Sequence, residues 1–237
     1  MAAVYTRSSV YATSGSLAHG IGTGDFTVAM WVYPTSSGTA DRCFWTNGTL
    51  NPAVFQDYPS GAFGIYTGSA RTFDTVFSTN TWYHIAVRRS SGNLTGWVNG
   101  TQEATTYSGV TNSFGDAAQG FATDVAGSSS DGYSGRIAEA GLWTAALDSA
   151  EIGALADGYS PLFIRRASIK FYYPFVRNTV QDLIRANTLT ESGTVTVASH
   201  PRIFYPRTPK IFRFSSPAVT QKSFLMRKRM NRSLLIQ

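Results

Sequence analysis

Asp25 to Tyr33 reads DFTVAMWVY, and this stretch decides the fold. Phe26, Val28, Met30 and Val32 alternate with Ala29, Trp31 and Tyr33, so both faces of the segment are largely apolar. A period of two with two apolar faces specifies a central β-strand covered on both sides. Thr81 to Arg89, TWYHIAVRR, repeats the pattern and sets Tyr83, Ile85 and Val87 against Trp82, His84 and Ala86. Gly92-Asn93 then turns the chain into LTGWV at 94–98, and Asn99-Gly100 is the signal for a type I′ hairpin. Successive antiparallel strands joined by tight turns form a meander. GRIAEAGLW at 135–143 is a further strand.

Outward from these strands, Asp148-Ser-Ala-Glu151 has the form of a capping box, with an acid at the N-cap and a carboxylate three residues on. Ile152 and Leu155 supply an apolar stripe, and Gly158 can close the helix in the left-handed conformation. One short helix over 148–157 is expected. The stretches 34–51 and 106–135, rich in Gly, Ser, Thr and Asp, read as loops. Gly20-Ile-Gly-Thr-Gly24 lacks the lysine of a phosphate loop and precedes a strand, so it reads as a flexible entry segment.

Composition agrees with this all-β reading. Of the 237 residues, 14% are aromatic and only 14% are charged, well under the roughly 25% charged of an average soluble domain. Such a chain can bury a sizeable core, which excludes disorder over most of its length. The single Cys43 excludes an intramolecular disulfide framework. No apolar run approaches the roughly 20 residues of a membrane helix. The first residues, MAAVYTR, lack the order of a signal peptide. The net charge of +6 conceals a division. Residues 1–191 hold 11 basic and 14 acidic residues, a balance of −3, whereas 192–237 hold nine basic residues and no acid, a balance of +9. A body and a tail with different partners are implied.

The blocks DFTVAMWV, NTWYHIAV, LTGWVNG and YSGRIAEAGLWTAALDSAEI, in that order, resemble the laminin-G-like members of the concanavalin A-like superfamily. Trp31, Trp82, His84, Asn99-Gly100, Gly135, Glu139, Trp143 and Glu151-Ile152 fall at the family's places. Ala138 departs from it, since an acid often precedes that glutamate. The resemblance covers about residues 1–175 and implies a two-sheet antiparallel β-sandwich of jelly-roll type. SPLFIR at 160–165, FYYP at 171–174, LTESGTV at 189–195 and HPRIFYP at 200–206 resemble the C-terminal extension of such proteins in tailed bacteriophages, which implies a virion protein. The expected division is a jelly roll over 1–178, a strand or connector segment over 179–199 and a basic, aromatic arm over 200–237.

The chemistry is mostly marked by absences. Jelly-roll glucanases set paired carboxylates along one strand, whereas GRIAEAGLW carries Glu139 alone and Asp148 and Glu151 are taken up by the helix cap. A nucleophile elbow is missing too. The expectation is therefore no enzymatic activity. His84 with Trp82 and Trp97 could line a sugar-binding face; the alternative is a packed sheet histidine. His19, His84 and His200 have no metal-ligand spacing. Laminin-G-like domains often bind calcium through loop acids, which makes Asp116, Asp124 and Asp131 the candidate ligands, although their spacing matches no defined calcium loop and turn-forming Asp is common in such segments.

The tail carries Pro201, Pro206, Pro209 and Pro217 among aromatic residues, a pattern that favours an extended arm over a helix. Arg202, Tyr205, Arg207, Lys210, Phe212, Arg213, Phe214, Arg227, Lys228 and Arg229 are its expected contact residues. Two functions are carried forward. One is a structural or decoration protein of a virion, assembled in the host cytoplasm and held through residues 195–237 to other subunits or to a second copy. The other is a carbohydrate-binding lectin module. Nucleic acid is a less favoured partner of the uncompensated basic charge.

Overall fold

The computed structural model describes residues 2–7, 11–36, 42–48, 51–123, 132–176 and 181–206. In chain order the first strands are β1 (Ala2–Tyr5), β2 (Tyr11–Leu17), β3 (Phe26–Pro34), β4 (Arg42–Asn47), β5 (Ala53–Gln56), β6 (Ala62–Tyr66) and β7 (Ala70–Val76). They continue with β8 (Tyr83–Ser90), β9 (Asn93–Val98), β10 (Thr101–Tyr107), β11 (Ala117–Phe121) and β12 (Gly135–Trp143). After helix α1 (Ser149–Ala156) and a 3-10 turn at Pro161–Phe163 come β13 (Ile169–Tyr173), β14 (Thr190–Ser192) and β15 (Thr196–Ala198). Among the described residues no helix is long and apolar enough to cross a membrane.

These strands form the expected antiparallel sandwich. One sheet runs β10-β9-β8-β3-β12-β1-β15, with β13 also paired to β12, and the other runs β14-β2-β11-β4-β5-β6-β7. The meander is β8-β9-β10, and Asn99 and Gly100 both take positive φ at its second turn, 49° and 80°. Two stretches expected as loops each contain a strand: β4 lies within 34–51 and β11 within 106–135.

Alternation along β3 and β8 sends Phe26, Val28, Met30, Val32, Ile85 and Val87 into the space between the sheets, where they meet Phe44, Trp45, Val54, Phe63, Ile65 and Phe121. Each such side chain contributes about 1.5–3 kcal/mol of burial. Arg89 is buried among them with its charge answered by carbonyls. Its Nε donates to Gly24 O at 2.9 Å, Nη2 to Gly22 O at 2.9 Å and Nη1 to Asn112 O at 2.7 Å. Its guanidinium also lies 4.5 Å from the ring centre of Phe114. Thus the Gly20–Gly24 segment is fastened to the core by a cation.

Both open sides of the sandwich are sealed. On one side, Glu103 of β10 accepts from the backbone N–H groups of Asp74 (2.8 Å) and Thr75 (2.7 Å) on β7. Asp74 answers by accepting from Thr105 N at 2.8 Å, and its hydrogen bonds with Thr105, first of all from the hydroxyl, hold its carboxyl below the ordinary range. On the other side, β14 pairs with β2 and β15 pairs with β1, so two consecutive C-terminal strands extend one sheet each. The sandwich therefore continues past residue 178. The compact unit runs from Met1 to Pro206, and residues 207–237 lie outside the described residues.

Candidate functional site

The outer face of the β3-containing sheet is divided between a helix, a strap and an open aromatic row. Asp148 caps α1 as expected: it accepts from Glu151 N at 2.9 Å while Glu151 accepts from Asp148 N at 2.8 Å. The helix lays Ile152 and Leu155 over Ala29, Ala86, Trp97, Trp143, Ile169 and Tyr172, a second apolar core on this face. Small residues make room for the large ones; a Cβ on Gly141 would lie 2.6 Å from the Trp143 indole. Trp97, expected on a sugar-binding face, is buried in this cluster, with its indole N–H donating to Thr95 Oγ1 at 3.2 Å.

Beyond the helix the face opens. Pairing of Phe26 with Arg89 and of Trp31 with His84 fixes the register of β3 on β8, and Arg136 of β12 pairs with Tyr33. Trp82, Tyr33 and Arg136 therefore form one row across the strands, all partly exposed. The Trp82 and Tyr33 rings are 5.3 Å apart, and the Arg136 guanidinium lies 4.3 Å from the Tyr33 ring centre. Trp31, also partly exposed, stands in the adjacent row with its ring 5.4 Å from His84. His84 itself is only 2% exposed. Its backbone N–H donates to Asn99 Oδ1 at 2.9 Å, while its Nδ1 has no hydrogen-bond partner. Burial lowers its pKa to about 3, so the imidazole is neutral. Of the three residues expected to line a sugar face, the structure leaves Trp82 accessible and buries His84 and Trp97.

The strap is the chain leaving β15. Ser199 accepts from Arg136 Nη1 at 2.5 Å. Glu139, at φ +55° in the bulge of β12, is buried beneath the segment that follows. Tyr172 Oη donates to its Oε2 at 2.5 Å and Tyr205 Oη to its Oε1 at 2.6 Å. His200 Nε2 stands 3.1 Å from Oε1, near enough for an ion pair but off the angle of a hydrogen bond. Burial, reinforced by the Glu139 charge, raises the pKa of both tyrosines, so their hydroxyls stay protonated donors. A carboxylate with both oxygens engaged in this way is a fastening point for the strap.

Of the candidate calcium ligands, Asp116 is the one among the described residues. Asp116 Oδ1 accepts from Gly20 N at 2.8 Å and lies 3.4 Å from His19 Nδ1; Asp124 and Asp131 lie outside the described residues. His19 is neutral. Its Nδ1 accepts from Ile21 N at 3.2 Å and its Nε2 faces Asn47 Oδ1 at 3.0 Å, and burial lowers its pKa. Among the described residues no three His, Cys, Asp or Glu side chains form a metal-holding group. Of the arm residues, Arg202 lies over Phe204 of its own segment at 5.0 Å, and Tyr205 is bonded to Glu139 of this chain's own sandwich. Arg207, Lys210, Phe212, Arg213, Phe214, Arg227, Lys228 and Arg229 lie outside the described residues. The open face adds Trp31, Tyr33 and Arg136 to the expected residues. Aligning the two alternating strands so that Trp31 opposes His84 was the signal that could have found the first two.

Residues 6–153 match the Laminin_G_3 model of the concanavalin A-like lectin/glucanases superfamily, and the chain belongs to that family. No curated protein sequence matches it significantly. Among solved structures, a Bacteroides ovatus protein of proposed carbohydrate-binding function superposes with a TM-score of 0.68 at 16% identity, over 84% of this chain and 60% of its own. A heptameric SAP-like pentraxin from Limulus polyphemus superposes with a TM-score of 0.58 at 11% identity, over 82% of this chain and 93% of its own. At these identities the likeness is one of fold.

Proposed function

We propose that this member of the concanavalin A-like superfamily is a non-catalytic carbohydrate-recognition module that binds through the Trp82–Tyr33–Arg136 row. The observation that carries the reading is the row itself: partly exposed rings, Tyr33 on β3 and Trp82 immediately before β8, beside a guanidinium. A sugar ring presents an apolar C–H face and a rim of hydroxyls. Indole and phenol faces suit the first, and Arg136, already a donor to Ser199 Oγ, suits the second. Rigid strands fix the rings in advance, which lowers the cost of ordering them on binding. The non-catalytic part is supported by Glu139, whose two oxygens accept tyrosine hydroxyls. Most glycosidases use two carboxyl groups flanking one bond.

A glycan array tests this directly. The full chain should retain a defined subset of oligosaccharides, and Trp82→Ala should weaken that retention about tenfold, the loss of roughly 1.4 kcal/mol. Retention unchanged in Trp82→Ala, or turnover of any retained glycan, would count against the reading.

A virion is the setting we propose for the module. The charge partition supports this setting, because nine basic residues without an acid after residue 191 suit attachment to an acidic neighbour. Proteomics of purified particles would test it: absence of the chain from them would remove the setting and leave the module.

A further inference from the structure

A second aromatic surface lies outside the stretch matched by the family, which ends at residue 153. Tyr159, Phe163, Phe204 and Tyr205 are 46%, 49%, 43% and 42% exposed. The backbone brings them together where α1 ends and the strap passes. Phe204 N donates to Gly158 O at 2.8 Å, and Ser160 N donates to Phe204 O at 3.0 Å. Gly158, at φ +89°, permits this approach, since a Cβ there would lie 2.3 Å from Arg202 O. The rings touch one another: Tyr159 is 5.5 Å from Phe204 and 6.0 Å from Phe163. Arg202 lies over Phe204, and the Tyr205 hydroxyl is fastened to Glu139. These are rings on a hydrogen-bonded frame with no residue in common with the Trp82 row.

Size decides what the surface suits. At 150–250 Å² for each aromatic side chain, the exposed parts of Tyr159, Phe163 and Phe204 sum to roughly 280 Å². That is well under the roughly 800 Å² each partner gives to a standard protein interface. It lies close to the lower end of the range of functional surface patches on monomers, about 300–600 Å². A short oligosaccharide of two or three units fits such an area. Its C–H faces would meet the Tyr159, Phe163 and Phe204 rings, and its hydroxyls would meet Arg202 and the exposed Asp157 at the end of α1. We propose that the Tyr159–Phe163–Phe204 cluster is a second, independent oligosaccharide platform, built by the C-terminal strap rather than by the family's shared core. Two platforms on one chain would let it bind a polymeric glycan at two points and gain avidity from their linkage.

The test uses the full chain, the double variant Tyr159→Ala/Phe163→Ala and Trp82→Ala on one array of neutral and acidic oligosaccharides. Both positions in the double variant are exposed, and an unchanged thermal midpoint would confirm its fold. The expected result is a subset of glycans whose retention falls about tenfold in the double variant and persists in Trp82→Ala. Loss confined to Trp82→Ala overturns the second platform and leaves the first. Loss confined to the double variant supports the second and removes the first. Retention of nothing by the full chain overturns both. A concentration-dependent dimer in light scattering that the double variant abolishes would make the cluster a contact between copies and also overturn the proposal.

Discussion

His84 should make the fold acid-sensitive by a calculable amount. Unfolded, its imidazole takes up a proton near its ordinary value of 6.5; folded, burial holds it neutral down to about 3. Because the folded value is depressed, the contribution is present above 6.5 and is lost as pH falls toward 3. Each unit corresponds to about 1.36 kcal/mol, so two units of acidification, to about pH 4.5, remove roughly 2.7 kcal/mol. His84→Phe provides the control. The substitution keeps a ring against Trp31 and removes the unpartnered Nδ1, so at about pH 7 its stability should be close to that of the parent. Urea unfolding followed by tryptophan fluorescence, at about pH 7 and about pH 4.5, would give four stabilities. His19 and Asp74 also have lowered pKa values, but they contribute to both proteins alike. The parent should therefore lose roughly 2.7 kcal/mol more than the variant. Equal losses, or a His84 imidazole that titrates near 6.5 in the folded protein, would refute the reasoning.

Gly158→Ala should cost about 3–4 kcal/mol: about 1–2 for a side chain at positive φ, and about 1 for each of the two strap hydrogen bonds displaced by the clash with Arg202 O. Trypsin should then cut after Arg202 sooner than in the parent, and unchanged cleavage would argue against a fastened strap. Glu103→Ala should cost about 2–4 kcal/mol by stripping the acceptor from two β7 amides. Hydrogen exchange should accelerate at Asp74 and Thr75; protection kept at both would contradict the proposed edge seal. The raised pKa values of Tyr172 and Tyr205 carry stability that is full below the ordinary 10.0 and lost as pH rises beyond it. Thermal midpoints should accordingly fall above about pH 10, and a flat profile to about pH 11.5 would count against buried, protonated hydroxyls.

The parts of the fold legible in the sequence are those set by neighbours along the chain. DFTVAMWVY and TWYHIAVRR announce β3 and β8 because alternation is local, and Asp148 with Glu151 announces α1 because a capping box spans one turn. By contrast, β11 is AAQGF, with small and polar residues in place of β-branched ones, and it becomes a strand only between β2 and β4. The strap was equally hidden. Tyr205 meets Glu139 across 66 residues, and no periodicity records such a contact. The same limit applied to the site. Trp82, His84 and Trp97 were legible as aromatic residues on sheet strands, but whether each reached solvent depended on α1 and on Trp31, which belong to other segments. Burial of Trp97 and His84 is therefore a tertiary fact, and the accessible row is the part of the face that neither helix nor strap covers.

The most direct measurement is a crystal structure of the full chain with the tightest glycan from the array. The account predicts a sugar ring stacked on the Trp82 indole, with a hydroxyl within hydrogen-bond distance of the Arg136 guanidinium. A glycan seated on the opposite sheet or at the sandwich ends, with the Trp82–Tyr33–Arg136 row bare, would contradict it.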